Sequence, residues 1–138
     1  VDLSTGAYAY SEKGNDVSVG FDEFRNFIKE HPNQKFAFVH NHNTDGYFSE
    51  TDMRTLLTTD NIEMFVAVRI DGVIYVAEKT QAAPNYALFD RLFPDEISEL
   101  NLQYKNGIIT AGERTRKREE IIVDGLLKKF TKGLIEIE

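Results

Sequence analysis

The sequence predicts an α/β (α+β) domain in which helices flank a mixed β-sheet. Short β-rich runs alternate with helix-periodic segments up to about residue 80. The pair Asp71-Gly72 between two β-rich runs is a strong signal for a tight hairpin. Beyond Pro84 only helical spacing is found. With 138 residues, 41% of them hydrophobic, the chain has the length and composition of one soluble globular domain.

The N-terminal elements follow the predicted order β, β, α, β, α, β, β. Residues 6–10 and 17–20 predict two short strands joined by a loop. Asp22 is suited to cap a helix, which Pro32 ends. Residues 35–39 form a continuous apolar run, which is typical of a buried strand.

The next helix is predicted over residues 49–58, with three apolar side chains facing the core, Met53, Leu56 and Leu57. Residues 64–68 and 73–77 are the two β-rich runs that predict the hairpin.

The C-terminal part has a different character. Three apolar helical faces follow one another and end before Pro94, Gly107 and Gly133. We therefore divide the chain into a core of residues 1–80 and a helical extension of residues 81–138, packed on or beside the core.

The composition excludes several classes of function. Because the chain has no cysteine, disulfides and cysteine-ligated zinc or iron–sulfur sites are excluded. The net charge of −7 and the lack of a basic stripe argue against a nucleic-acid partner. The basic run from Arg114 to Arg118 is bracketed by Glu113 and Glu119, so we interpret it as a solvated helix face.

The apolar segments of the sequence bear on whether the chain can cross or enter a membrane. No segment approaches the ~18 apolar residues of a membrane span, and no signal peptide is evident. We therefore expect no membrane partner and a cytoplasmic location, with which the lack of cysteine is compatible. Since the chain begins with Val1 rather than Met, we expect it to be a processed or excised piece of a longer protein.

Residue types that bind metals cluster between His40 and Asp52. His40 and His42 are separated by one residue at the end of a predicted strand, so both side chains point to the same side. Asp52 lies three residues into the next helix, where its carboxylate can turn back toward the strand end. Two imidazoles, one carboxylate and an open water position form a known catalytic zinc set, with bonds of roughly 2.0–2.2 Å. Zinc in such a set lowers the pKa of its water to about 7 and polarises a carbonyl.

The residues beside this cluster have more than one interpretation. Ser49, one helical turn before Asp52, could hydrogen-bond a developing oxyanion, but Ser49-x-x-Asp52 is also close to a capping box. The two roles are compatible. Tyr47 and Phe48 either line a substrate groove or anchor the loop. His31 is expected to be exposed at a helix end, where it complements the helix dipole.

The pattern resembles the JAMM/MPN metallopeptidase family, which carries His-x-His-Pro, a short loop and Ser-x-x-Asp. Here it reads His40-x-His42, a six-residue loop and Ser49-x-x-Asp52. It is also similar to the JAB-type domains of phages and mobile elements, which often have His-Asn-His-Pro and a loop this short. The resemblance covers roughly residues 3–79 and implies a cytidine-deaminase-like MPN architecture.

The resemblance also implies a chemistry. The cofactor would be zinc, its ligands His40, His42 and Asp52, and the catalytic hydroxyl that of Ser49. The implied activity is that of a zinc-dependent peptidase or isopeptidase, in which zinc-bound water attacks a peptide-type carbonyl. The implied partner is a protein or peptide substrate, with ubiquitin-like proteins among the candidates.

The sequence departs from the family pattern in three places. Asn43 replaces the proline, and the loop is one residue shorter than in the deubiquitinating members. The general-base glutamate of the family has no acidic counterpart at the corresponding positions, which are Ser4, Thr5 and Gly6. The nearest acids, Asp2 and Glu12, do not fit. Since general-base assistance is worth about 10²–10⁴-fold, a catalytically inactive MPN-like protein-binding module is the alternative.

A calcium loop is a further alternative. Residues 41–52 are close to a 12-residue EF-hand loop, with Gly46 at position six and Phe48 at position eight. Asn41 and Asp52 replace the usual Asp and bidentate Glu at the first and last positions, so calcium binding is expected to be weak. An EF-hand also needs a preceding helix, whereas a strand is predicted there.

Overall fold

A computed structural model of the chain describes residues 1–5, 22–42, 47–81 and 89–138. The two strands predicted at residues 6–10 and 17–20 lie outside these ranges. In chain order, the helices and strands are α1 (Asp22–Glu30), β1 (Phe36–His42), α2 (Glu50–Thr58), β2 (Ile62–Arg69), β3 (Ile74–Lys79), α3 (Phe89–Leu92), α4 (Pro94–Lys105), α5 (Ala111–Phe130) and β4 (Thr131–Ile137).

The strands of the described ranges form one sheet in the order β1-β2-β3-β4. β1 pairs with β2 in parallel, whereas β3 is antiparallel to both β2 and β4. The predicted mixed sheet with flanking helices is therefore confirmed. The hairpin at Asp71-Gly72 is confirmed too, and Gly72 has a φ of 89°, which glycine adopts without steric cost.

A single helix, α2, connects the parallel strands β1 and β2. Because this connection must return to the end of the sheet where β1 began, α2 starts at the carboxyl end of β1. Its predicted inner face is confirmed, since Met53, Leu56 and Leu57 are fully buried. Lys79 Nζ donates hydrogen bonds of 2.9 Å to the carbonyls of Leu56 and Thr59 and so fixes the other end of α2. Burial lowers the pKa of this ammonium group.

One apolar cluster joins the sheet, α2 and α5. The α5 members are Ile122, Val123, Leu126, Leu127 and Phe130, and they meet sheet residues such as Phe36, Ile62 and Phe65. The apolar face predicted for the last helix is therefore buried. The cluster contains residues from both sides of residue 80. The division of the chain into a core of residues 1–80 and an extension of residues 81–138 stays a prediction.

The predicted buried strand is buried only in part. Phe36 and Ala37 are buried, but Val39 is 42% exposed. Successive side chains of a strand point to opposite faces of the sheet, and Val39 lies on the face opposite to Phe38 and His40. A continuous apolar run therefore overestimates the burial of β1.

The prediction of helices alone after Pro84 is wrong for the last residues. β4 follows α5 directly and pairs with β3, with Leu134 opposite Ala77 and Ile135 opposite Val76. The run from Leu134 to Ile137 has suitable apolar residues for a strand. Its partner strand lies far earlier in the chain, so local periodicity beside a long helix does not reveal the pairing.

Helix α5 approaches Phe93, at the start of α4, very closely. A methyl group added at Gly125 would clash with two carbons of the Phe93 ring. The ring or the helix would therefore have to shift to admit any larger residue at this point of α5. Gly112, near the start of the same helix, has the opposite surroundings, since the nearest atom to an added methyl group is 4.0 Å away.

Among the helices of the described ranges, none combines the length and the apolar character that crossing a bilayer requires.

Replacing Gly125 with alanine is predicted to destabilise the protein by about 1–3 kcal/mol. The clash with Phe93 outweighs the gain of about 1 kcal/mol in helix propensity. Urea denaturation followed by circular dichroism measures the free energy of unfolding. Gly112→Ala is the matched control and is expected to be neutral or stabilising. If both variants stabilise the chain equally, α5 does not pack against Phe93 as described.

Candidate metal centre

The predicted site residues lie where the carboxyl end of β1 meets the N-terminus of α2. His40 and His42 occupy the last part of β1, Ser49 is the N-cap of α2, and Asp52 is in its first turn. Ligands often bind at the carboxyl ends of parallel strands, where helix N-termini also meet. The parallel pairing of β1 with β2 thus creates a place for a site and brings His40, Ser49 and Asp52 to it.

His40 and Asp52 are in direct contact. Nε2 of His40 lies 3.3 Å from Oδ2 of Asp52, and the side chains are only 15% and 8% exposed. Two donors that share a tetrahedral zinc ion with bonds of about 2.0–2.2 Å lie about 3.3–3.6 Å apart. The separation and chemistry of this pair therefore fit two zinc ligands. The ring of His40 packs against Phe38 and Phe65, at centroid distances of 5.1 and 5.7 Å.

A capping box orients the carboxylate of Asp52. The hydroxyl of Ser49 accepts a hydrogen bond of 3.1 Å from the Asp52 N–H, and Oδ2 of Asp52 accepts one of 2.9 Å from the Ser49 N–H. The predicted capping box is thus confirmed. Because Oδ2 also faces His40, the box turns the carboxylate toward β1. The positive end of the α2 dipole favours a negative charge at this point.

His42 is the predicted third ligand. Its side chain lies outside the described residues, as do residues 43–46 of the loop. Its backbone continues β1 two positions beyond His40, which places both residues on the same face of the strand. Among the side chains that the structure describes, no group of three or more His, Cys, Asp or Glu residues could hold a metal ion. A complete zinc set at this place would depend on His42.

The two loop aromatics anchor the chain between β1 and α2. Phe48 is buried in the core cluster, with its ring 6.2 Å from that of Phe65. The hydroxyl of Tyr47 donates a hydrogen bond to Asp124 of α5, and burial raises the pKa of that carboxyl group. Of the two interpretations of these aromatics, anchoring therefore accounts for Phe48, and Tyr47 has an anchoring contact as well.

Helix α5 also holds the first turn of α2. Arg118 donates to the carboxylate of Glu50 at 3.0 Å, and Glu119 accepts a 3.0 Å hydrogen bond from the Glu50 N–H. The interpretation of the run ending at Arg118 as a solvated face is therefore wrong for Arg118. The sequence carried one signal, since Glu119 precedes the buried Ile122 and Val123 by three and four positions, on the same face of α5.

A second group of polar side chains lies at the carboxyl end of β2. Arg69 binds the carboxylate of Asp71 and donates a 3.0 Å hydrogen bond to the hydroxyl of Tyr75. The pairing with Arg69 lowers the pKa of Asp71 to about 2. Tyr75 in turn contacts Tyr47, with 5.6 Å between ring centroids. Arg69 pairs with His42 in the register of β1 and β2. The guanidinium group of Arg69 and the phenols of Tyr75 and Tyr47 therefore border the site.

Asp2, one of the two acids nearest to the predicted base position, lies away from the site. It bridges to Phe36 at the start of β1, and its Oδ1 accepts hydrogen bonds of 2.8 Å from the N–H and the hydroxyl of Ser4. Four residues of strand, about 13 Å, separate Phe36 from His40. Asp2 is therefore too distant to act as the base, and Glu12 lies outside the described residues.

The structure bears on the calcium alternative as well. An EF-hand loop connects two helices, whereas residues 41 and 42 of this loop belong to strand β1. Moreover, the Asp52 carboxylate, which would be the last calcium ligand, faces His40. Neither feature favours an EF-hand.

Compared with known proteins, the chain matches no family model, no curated protein and no solved structure. The resemblance to the JAMM/MPN family therefore stays a prediction that rests on the residues of the site.

Replacing Ser49 with alanine is predicted to cost about 1 kcal/mol of stability in metal-free protein, because the Asp52 N–H loses its capping acceptor. Urea denaturation in the presence of a chelator measures this cost. Ser98→Ala, at an exposed position within α4, is the control and should change the stability by less than about 0.5 kcal/mol. Equal effects in the two variants would mean that Ser49 does not cap α2.

Proposed function

We propose that this protein is a zinc-dependent peptidase or isopeptidase of the JAMM/MPN type. The fold would be a variant of the MPN architecture, with zinc held by His40, His42 and Asp52. The observation that carries the proposal is the 3.3 Å contact between His40 Nε2 and Asp52 Oδ2, at the N-terminus of the helix that crosses from β1 to β2. That contact joins residues twelve positions apart in the sequence pattern and has the separation of two ligands on one metal ion.

The proposed roles of His40 and Asp52 rest on their contacts, and that of His42 rests on the resemblance. His40 and His42 would bind through imidazole nitrogens, and the rings of Phe38 and Phe65 pack against the imidazole of His40. Asp52 would bind through the carboxylate that the capping box turns toward β1. Zinc in this set would polarise the scissile carbonyl and make its water nucleophilic near neutral pH.

Ser49 would act on the substrate oxygen. Its hydroxyl oxygen already accepts the hydrogen bond from the Asp52 N–H, so its own proton can be donated elsewhere. A donor held in this way can stabilise the negative charge that develops on a carbonyl oxygen during attack. The same contact would therefore serve both the helix and the reaction.

The substrate would be a protein or peptide with an accessible amide bond, and ubiquitin-like proteins are the class that the resemblance suggests. The border of Arg69, Tyr75 and Tyr47 beside the site offers a guanidinium group and two phenols to an extended chain. These groups suit a polypeptide, which presents carbonyl oxygens and side chains in alternation.

A catalytically inactive binding module is the second candidate. The observation that favours it is the position of Asp2, which is held by Ser4 at the opposite end of β1 from His40. Such a module would bind zinc and a protein partner but would not turn over. Cleavage of any member of a peptide library, lost in Ser49→Ala and Asp52→Asn, would rule out this candidate.

The metal site is tested by elemental analysis of tag-free protein by plasma mass spectrometry. The wild-type chain is expected to contain about one zinc per chain, because two imidazoles and one carboxylate complete a zinc set with water. His40→Ala and His42→Ala are expected to lose it.

The third histidine provides the control. His31 lies at the end of α1, with Nδ1 2.8 Å from the Phe27 carbonyl, and His31→Ala should keep its zinc. A chain that takes up no zinc even when zinc is supplied, or a His42→Ala variant with unchanged content, would contradict the proposed function. The contact of His40 with Asp52 would then be a hydrogen bond and nothing more.

A further inference from the structure

The two faces of the sheet have different surroundings. Phe65 and Ala67 of β2 are fully buried and belong to the core cluster with α2 and α5. Because successive side chains of a strand point to opposite faces, Val66, between them, lies on the other face. Val66 is only half-buried, and within the described ranges it is neither in the core cluster nor packed against it. The described helices therefore cover one face of the sheet and leave the other without a helical layer.

Two rows of side chains cross all four strands on this second face. From β1 to β4, the strand register gives the first row as Val39, Val66, Val76 and Ile135. The second row, two positions further along β1, consists of Asn41, Val68, Ile74 and Ile137. Seven of these eight residues are valine or isoleucine, and on the outer strands Val39, Ile135 and Ile137 are 42%, 51% and 49% exposed. We call the two rows the open face.

The open face belongs to a sheet that is large enough to form most of an interface. With strands about 4.8 Å apart and a rise of about 3.3 Å per residue, four strands of about seven residues span roughly 19 by 23 Å. Specific interfaces bury about 800 Å² of accessible surface per partner, and projecting side chains expose more surface than the flat area beneath them. Contiguous apolar patches of a few hundred Å² often mark such interfaces.

The charges at one end of this face are paired within the chain. Nζ of Lys132 in β4 donates a 3.0 Å hydrogen bond to the carboxylate of Glu78 in β3. Lys35, just before β1, lies 3.8 Å from Glu63 of β2. Each pair is neutral, so two copies of this face can approach with little like-charge repulsion although the chain carries a net charge of −7. A face without excess cations is also unsuited to an anionic lipid surface.

The strand order makes the open face complementary to itself. A two-fold axis parallel to the strands, between β2 and β3, places β1 over β4 of a second copy and β2 over its β3. On this face, β1 carries the smaller Ala37 and Asn41 beside Val39, whereas β4 carries Ile135 and Ile137. The thinner edge of each sheet thus meets the thicker edge of the other, at the spacing of about 10 Å that is usual for stacked sheets.

We propose that the open face binds the open face of a second copy of this chain, so that two four-stranded sheets stack in a two-fold dimer. Val39 of each copy meets Ile135 of the other, and Val66 meets Val76. The imidazole of His40 lies on the opposite face, against Phe65, so the dimer leaves the candidate metal centre uncovered. The inference is therefore independent of the proposed function.

Sedimentation equilibrium of the metal-free protein, in the presence of a chelator and up to about 0.5 mM, measures the dimer. The average mass of the wild type should rise with concentration toward twice that of one chain. Ile135→Lys and Val39→Lys each place an ammonium group in the apolar contact, on opposite edges of the sheet. Each should raise the dissociation constant at least about 10-fold, because a buried charge without a partner is strongly unfavourable. Thermal unfolding followed by circular dichroism checks that both variants fold.

Ile108→Lys is the matched control. Ile108 is 69% exposed, more than Ile135, but it lies between α4 and α5 rather than on the sheet. This variant should dimerise as the wild type does. A wild type with the mass of one chain at every concentration would overturn the proposal, since another occupant or none would then cover the face. Dissociation by Ile135→Lys but not by Val39→Lys would also overturn it, because the copies would then pair edge to edge through β4.

Discussion

The parallel pairing of β1 with β2 determines where the N-terminus of α2 lies. When one helix joins two parallel strands, its N-terminus lies at the carboxyl end of the first strand, since the helix must begin where that strand ends. In this chain, that geometry brings the Asp52 carboxylate to the imidazole of His40. The capping box of Ser49 also orients the Asp52 carboxylate. The hydrogen bond from the Ser49 N–H holds this carboxylate at the N-terminal end of α2. The core residues Met53, Leu56 and Leu57, together with Lys79, keep α2 in this position.

A second support comes from α5. This helix contacts the start of α2 through Glu119 and Arg118, and the loop before it through Asp124. Its apolar face belongs to the same cluster as the sheet, and β4 then returns the chain to β3. The C-terminal residues therefore contact Tyr47 and Glu50, which flank the site residue Ser49 in the chain. A change in the packing of α5 would move the first turn of α2, and with it Asp52.

Local patterns predicted the elements around the site well. The apolar spacing of α2, the Asp71-Gly72 turn and the capping box depend on residues close in sequence, and all three are present. The position of His40 beside Asp52 followed from strand-end and helix-start signals. By contrast, β4 and the contacts of Glu119 depend on partners more than fifty positions away in the chain. The local periodicity of apolar residues carries no information about such distant partners. The exposure of Val39 has a related cause. An apolar run in the sequence does not show which face of the strand is covered by helices and which is open to solvent.

We propose that His40, His42 and Asp52 share one zinc ion, and the coordination shell of that ion is the property to measure. X-ray absorption at the zinc edge of the loaded protein should show four nitrogen or oxygen donors at about 2.0–2.1 Å, with outer-shell scattering from two imidazole rings. The His42→Ala variant, which is expected to lose its zinc, should show no such shell. A shell of six oxygens without imidazole scattering would rule out zinc binding by His40 and His42, since the zinc would then be bound elsewhere on the surface.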